Sequence, residues 1–222
     1  MRIVRSAVAA TLAAMRGIHR LEEAAPTAEL VPHDYLQALD CASIFKRIAP
    51  LEVDLGCGDG VYLAQLAASD PDRDFLGIER LFGRVRSACH KLAQRRLSNA
   101  RVLRVETTHA VSELLPPGSI DVFHVMFPDP WPKRRHQNRR LINESFLESL
   151  HRALAPGGTV QIATDQADYF SAIRKAVASK SDLFQGSISD QPPLVTSTFE
   201  KRFRDAQLPI YRLVLRKLAG EV

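Results

Sequence analysis

From Leu51 onward, short apolar runs alternate with stretches of helical period. Leu51-Glu-Val-Asp-Leu55 predicts a strand and Val61 to Ser69 a helix. Asp74-Phe-Leu-Gly-Ile-Glu79 predicts a second strand, followed by a basic helix from about Phe82 to Leu97. Arg101-Val-Leu-Arg-Val105 is a third strand, Ala110 to Leu115 a short helix, and Ile120 to Phe127 a fourth strand. A long helix over roughly Arg140 to Leu154 stops at Pro156-Gly157-Gly158, since glycine and proline end helices. Thr159 to Ala163 gives a fifth strand and Ala167 to Ser179 a fifth helix. Such alternation implies a mostly parallel sheet with helices on both faces, an α/β fold. Pro209 to Arg216 is a last strand with no helix behind it. Ahead of this unit, Pro26 and Pro32 punctuate a linker, and Asp34 to Ile48 is a short helix. The pattern divides the chain into an N-terminal basic arm with its linker and helix (1–49) and one domain (50–222).

Composition narrows the class. The 222 residues are 45% hydrophobic and 25% charged, which suits one domain with an appendage and excludes a mostly disordered chain. No apolar run approaches the roughly 20 residues that span a bilayer, so no membrane association is expected. Cys41, Cys57 and Cys89 are an odd count without a C-x-x-C pair. That argues against a disulfide scaffold and a cysteine metal site, and for a reducing compartment. The first 21 residues hold Arg2, Arg5, Arg16 and Arg20 and no acid. A secretory signal is disfavoured because the apolar stretch is short. A mitochondrial-type presequence and a mobile or loosely helical terminus both fit, the second better. There are 30 Lys and Arg against 25 Asp and Glu, a formal net of +5, and its distribution decides what it means.

The first strand runs into Asp54-Leu55-Gly56-Cys57-Gly58-Asp59-Gly60. Alternate glycines let the backbone turn sharply and approach a ligand closely. Glu79, at the end of the next strand, can accept both hydroxyls of a ribose. The pair indicates a nucleoside cofactor. A dinucleotide site has the spacing G-x-G-x-x-G, and Asp54 and Asp59 would repel its pyrophosphate. S-adenosylmethionine carries a sulfonium and an ammonium, which acids suit. Asp59 is equally compatible with capping the next helix. Together the features point to a Rossmann-like methyltransferase.

After the fourth strand comes Phe127-Pro-Asp-Pro-Trp-Pro-Lys133. In an open parallel sheet, ligands bind at the carboxyl ends of the strands. Asp129 offers an acceptor and Trp131 a flat face, the two means of holding a nucleobase. A proline-rich turn whose tryptophan fills the core is the alternative. Lys133 to Arg140 then holds five cations and His136 without an acid. Arginine forks suit phosphate oxygens, and a cationic rail beside a site implies RNA.

On these residues the chain from about Pro50 to Lys217 resembles the tRNA (guanine-N7)-methyltransferases. Four segments carry the resemblance: Asp54 to Gly60 with Glu79; Asp129-Pro-Trp-Pro-Lys-Arg-Arg-His136 with Arg139 and Arg140; Gly157-Gly158 followed by Thr164-Asp165; and Ser197-Thr-Phe-Glu200 followed by Pro209-Ile-Tyr-Arg212. The resemblance implies a class I methyltransferase fold, with a mostly parallel seven-stranded sheet and an antiparallel C-terminal strand. It implies S-adenosyl-L-methionine as cofactor and N7 of a guanosine in the variable loop of tRNA as target. Asp54, Gly56, Gly58, Glu79 and Asp129 are then cofactor contacts, and Asp129 is the catalytic residue. His109 stands where the family usually has an acid for the adenine amino group. Lys133, Asp165, Ser197, Thr198, Phe199 and Glu200 become substrate contacts. Arg135, His136, Arg139 and Arg140 become the RNA-binding segment. Asp54 replaces a common Glu, and Gln207 replaces a glycine often found before Pro209. No metal and no DNA are expected. A monomer or weak homodimer is expected, with a helper subunit left open.

Guanine N7 has a free lone pair and no proton, so its methylation needs no base; proximity and orientation would dominate. Asp129 would accept from the guanine edge and stabilise the developing cation. Three other readings stay open: a silent RNA-binding module, a methyltransferase with another target, and, against the loop spacing, a nicotinamide dehydrogenase.

Overall fold

The computed structural model describes residues 28–189 and 195–219. The basic arm expected within the first 21 residues lies outside the described residues. In chain order the elements are β1 (Glu29–Leu30), α1 (Cys41–Phe45), β2 (Leu51–Leu55), α2 (Val61–Ser69), β3 (Asp74–Glu79), α3 (Phe82–Gln94) and β4 (Ala100–Arg104). A helical turn, Thr107–His109, runs on into a π-helical turn, Ala110–Leu114. There follow β5 (Ile120–Met126), a 3-10 turn (Arg134–Arg139), α4 (Glu144–Ala153), β6 (Leu154–Thr164), α5 (Ala167–Ala178), β7 (Phe184–Ile188), α6 (Thr198–Asp205) and β8 (Tyr211–Lys217).

Among the described residues one sheet has the order β1-β4-β3-β2-β5-β6-β8-β7. All pairings are parallel except those of β8 with β6 and β7. Val53, Leu55, Leu76, Ile78, Phe123 and Val125 are buried, as central parallel strands covered on both faces require. One apolar cluster gathers α2 and α3, with Leu63, Leu66, Val85 and Leu92. The other gathers α4, α5 and the π turn, with Phe146, Leu150, Ile173 and Leu114. This is the expected architecture with one strand more than seven. The extra strand, β1, pairs Glu29 with Val102 and Leu30 with Leu103.

The sequence pattern and the structure differ at several ends for local reasons. The helix expected over Asp34 to Ile48 is confined to Cys41–Phe45, because Asp40 caps it and Lys46 turns left-handed at φ 55°. The helix expected from Arg140 starts at Glu144, since Asn143 accepts from the Phe146 amide and Arg140 is extended. The Pro156-Gly157-Gly158 stop ends the helix and also lies within β6, where the pairing with β5 jumps from Ile120–Leu154 to Val122–Thr159. No helix among the described residues is long and apolar enough to cross a membrane. Strand order reverses between β2 and β5, so the crevice for a ligand lies at their carboxyl ends.

Candidate active site

At the end of β2, Gly56, Gly58 and Gly60 all have positive φ, at 77°, 57° and 77°. Residues with a Cβ rarely adopt this conformation. The amides of Gly56 and Cys57 both donate to the carbonyl of Ile78, which folds the loop over the end of β3. A Cβ on Gly56 would meet nothing within 4 Å, so the loop borders open space. A Cβ on Gly60 would lie 2.5 Å from that of Ala88, so this third glycine serves the packing of α2 on α3.

Asp54 lies beneath the loop and is almost fully buried. Burial pushes its carboxyl up to about 7, His124 offsets part of this, and the charge of Glu79 adds to it. Asp54 Oδ2 finds no hydrogen-bond partner among the described residues. A buried, unpaired carboxylate oxygen carries a penalty of several kcal/mol unless a donor arrives. A cofactor with an ammonium group fits this position. Glu79 is also buried, with Oε1 accepting from the Leu81 amide at 2.8 Å. Asp59 turns away from this pair: Lys91 of α3 holds both its carboxylate and its carbonyl.

The Asp129 loop leaves β5 through strained backbone. Phe127 and Trp131 have φ of 54° and 41°, conformations costly for large side chains. The Phe127 amide donates to Ala163 of β6 at 2.8 Å, and its ring packs on Phe199 and Phe203 of α6. Asp129 itself is exposed. Asp165, at the end of β6, accepts from the side chain of Gln166. Ser197 caps α6 through the Glu200 amide, and the Glu200 carboxylate takes Arg204 and Arg212. Arg212 lies on β8, so α6 is tied to the sheet beside the Phe127 bend. The Asp54–Gly60 loop, the Asp129 loop, Asp165 and the start of α6 thus lie at the carboxyl ends of the strands, whereas Gly157-Gly158 stands at the opposite end of β6, where β5 begins.

Residues 48–213 match a family described as "Putative methyltransferase". The tRNA (guanine-N(7)-)-methyltransferase of Nitrosospira multiformis is 34% identical over 187 residues, 82% of this chain and 81% of that one. The chain belongs to this methyltransferase family. The tRNA (guanine-N(7)-)-methyltransferase of Syntrophotalea carbinolica is 40% identical over 134 residues, 60% of this chain and 58% of that one. That of Halorhodospira halophila is 43% identical over 131 residues, 59% and 57% of the two chains. The chain spans somewhat under three fifths of the length of these last two relatives. Among solved structures, the aminoglycoside resistance methyltransferase NpmB1 superposes with a TM-score of 0.57 at 17% identity, over 82% of this chain and 95% of that one. That likeness carries the class I methyltransferase fold.

Within this family frame, several expected contacts have other duties. Arg140, expected on RNA, is buried. It donates to the Pro130 carbonyl and Asp168 and lies over the Tyr169 ring, 4.8 Å from its centroid. Five cations within eight positions give no sign of which one folds inward. Ser197 and Glu200, expected on substrate, are buried in capping and ion-pairing α6, which leaves Thr198 and the 52% exposed Phe199 facing outward. Trp131 is not an open platform. The Arg139 guanidinium lies 5.1 Å from its ring centroid, and His136 meets it edge-on. His109, placed at the adenine contact, points its Nε2 at the Tyr35 carbonyl at 2.9 Å, and Glu106 caps its turn. Lys133, Arg134 and Arg135 remain exposed.

Sequence reasoning passed over His124. It is buried in β5, between Glu52 at 2.7 Å and the Tyr62 hydroxyl at 3.2 Å. A histidine in the apolar run Val122-Phe-His-Val-Met126 was the available signal. With Tyr62, Met126, Glu200 and Arg212 it lines a cavity of about 430 Å³ under α2 and α6.

Proposed function

We propose that the protein transfers a methyl group from S-adenosyl-L-methionine to N7 of a guanosine in the variable loop of tRNA. The observation that carries this reading is Asp54 Oδ2, a buried acceptor with no partner, beneath a glycine loop that opens at the strand ends. The names of the relatives support the RNA target.

The cofactor, when bound, supplies an electrophilic methyl on a sulfonium. Asp54 accepts from its ammonium, the Gly56–Gly58 backbone gives room for close approach, and Glu79 accepts from the ribose hydroxyls. The chain needs no general base, because N7 already presents its lone pair. Asp129, together with Asp165 from the end of β6, accepts from the N–H groups of the guanine edge and stabilises the positive charge that the base acquires. The strained Phe127 bend, packed on α6, holds Asp129 in place, which is the orientation that in-line attack requires. Lys133, Arg134 and Arg135 neutralise RNA phosphates at the same rim.

Incubation with labelled S-adenosyl-L-methionine and unmodified tRNA, followed by mapping of the modified base, tests the reading. Label on N7 of a variable-loop guanosine is expected. RNA binding without transfer would leave a silent RNA-binding module, and label on another base would move the target.

A further inference from the structure

On the far side of the cofactor crevice from Asp129, the structure holds a second cationic surface. Phe82, the first residue of α3, is 52% exposed. The guanidinium carbons of Arg86 and Arg104 lie over its ring, 5.7 and 5.4 Å from the centroid. Arg80 and Arg84 flank it, both exposed. Arg104 ends β4 directly opposite Glu79 of β3, so the group stands on the same rim as the glycine loop.

A solvated helix face is the ordinary explanation for surface cations, but such a face carries acids as well. The sequence of α3 has none. Among the described residues no ion pair forms at Arg80, Arg86 or Arg104, and Arg84 reaches the buried Glu79 only at 3.8 Å. Arg84 and Arg86 also sit in the first turns of α3, where a cation opposes the helix dipole. Beyond the contacts on Phe82 and the long Arg84–Glu79 pair, no stabilising partner among the described residues accounts for this many cations. Two guanidiniums held on one ring lose less side-chain freedom on docking, and their forks match phosphate oxygens.

We propose that Arg80, Phe82, Arg84, Arg86 and Arg104 form a second docking surface for the RNA backbone. This rests on the RNA-methylating reading given above. β4 and β5 are three strand intervals apart, about 15 Å at the usual spacing. One folded RNA lying over the crevice then touches this surface on one side and the Lys133–Arg135 segment on the other. Its target base is delivered between them. These contacts read phosphate, so they position the RNA without reading its sequence.

The test is the double variant Arg86→Ala/Arg104→Ala, measured for binding of unmodified tRNA across a range of KCl concentrations. Both side chains are exposed, and thermal unfolding checks the fold. The expected result is about tenfold weaker tRNA binding at moderate salt, a log–log salt slope smaller by about two, and unchanged affinity for S-adenosyl-L-methionine. Binding and slope equal to the wild type would overturn the proposal. So would a loss of cofactor affinity, which would assign the patch to the cofactor rim. A wild-type protein that neither binds nor methylates tRNA defeats the functional reading itself. A wild type that does both, beside an unaffected double variant, defeats only this surface.

Discussion

The guanidinium of Arg140 donates to Asp168 and lies over the Tyr169 ring, so the last cation of the basic run braces the Asp129 loop. Its further bond to the Pro130 carbonyl fixes the residue beside Asp129. Arg140→Ala removes a buried partner of three groups and should cost about 2–3 kcal/mol, lowering the melting temperature by roughly 5–10 °C. Arg135→Ala should leave melting unchanged and reduce the salt slope of tRNA binding by about one. Thermal denaturation and salt-dependent binding on both variants measure the division. A stable Arg140→Ala protein with a flattened salt slope would return that residue to the RNA.

Asp129→Asn keeps the shape of the side chain and removes its charge. The carboxylate is assigned to a charge that develops only during transfer, so the loss should fall on turnover. We expect kcat to drop by about 10²–10³, while calorimetry finds cofactor affinity near that of the wild type. Near-normal methylation would remove Asp129 from its catalytic place.

Glu200 and Ser197 carry local duties in the structure that the resemblance does not assign to them. Ser-Thr-Phe-Glu is a capping-box pattern, serine followed three residues later by glutamate. Resemblance assigns the same four residues to substrate. In the structure Ser197 caps α6 and Glu200 joins Arg204 to Arg212. Ser197→Ala should cost about 1 kcal/mol, and Glu200→Ala about 3 kcal/mol, because Arg212 is left without its carboxylate. Thr198→Ala should leave stability unchanged and weaken only substrate binding. Chemical denaturation of the three variants separates the roles.

The central strands were legible because burial on both faces imposes nearly continuous apolar runs. β2, α2 and β3 have the bounds that the pattern predicts. β7 was not, since only Phe184 of Phe-Gln-Gly-Ser-Ile is buried, which leaves no apolar alternation to read. β1 is two residues long, too short for any period. At the site, glycine spacing and acids at strand ends gave Asp54 and Glu79. The partners that decide charge, such as His124 beside Asp54 or Lys91 on Asp59, come from distant elements. Nothing local in the sequence announces them.

Gln207 has φ of 52°, in the region that favours glycine. It follows α6 just before Pro209, where the resemblance leads one to expect a glycine. A left-handed glutamine is strained by about 1 kcal/mol, partly offset in a glycine variant by its freer unfolded chain. Gln207→Gly should therefore raise stability by about 0.5 kcal/mol, or 1–2 °C in melting temperature. Scanning calorimetry would detect it, and a lower melting temperature would contradict the strain.

Asp54 gives the apo protein a pH dependence of definite sign. Burial raises its carboxyl to about 7 from an ordinary value of 3.8. At low pH both folded and unfolded states hold the proton and the residue contributes no penalty. As pH rises between those two values the unfolded chain releases its proton first, so stability falls. Above about 7 the penalty is complete, on the order of 4 kcal/mol. Asp54→Asn removes the titration, so the variant should melt well above the wild type at pH 8 and close to it at pH 4. An ammonium placed on Asp54 selects the ionised form. Cofactor binding at pH 6 should therefore release close to one proton, and at pH 8 almost none. Calorimetry in two buffers of different protonation enthalpy reads that release directly. The same asparagine variant should bind the cofactor weakly and release no proton. A variant no more stable than the wild type at pH 8 would show that Asp54 is not held as a buried, unpartnered acid.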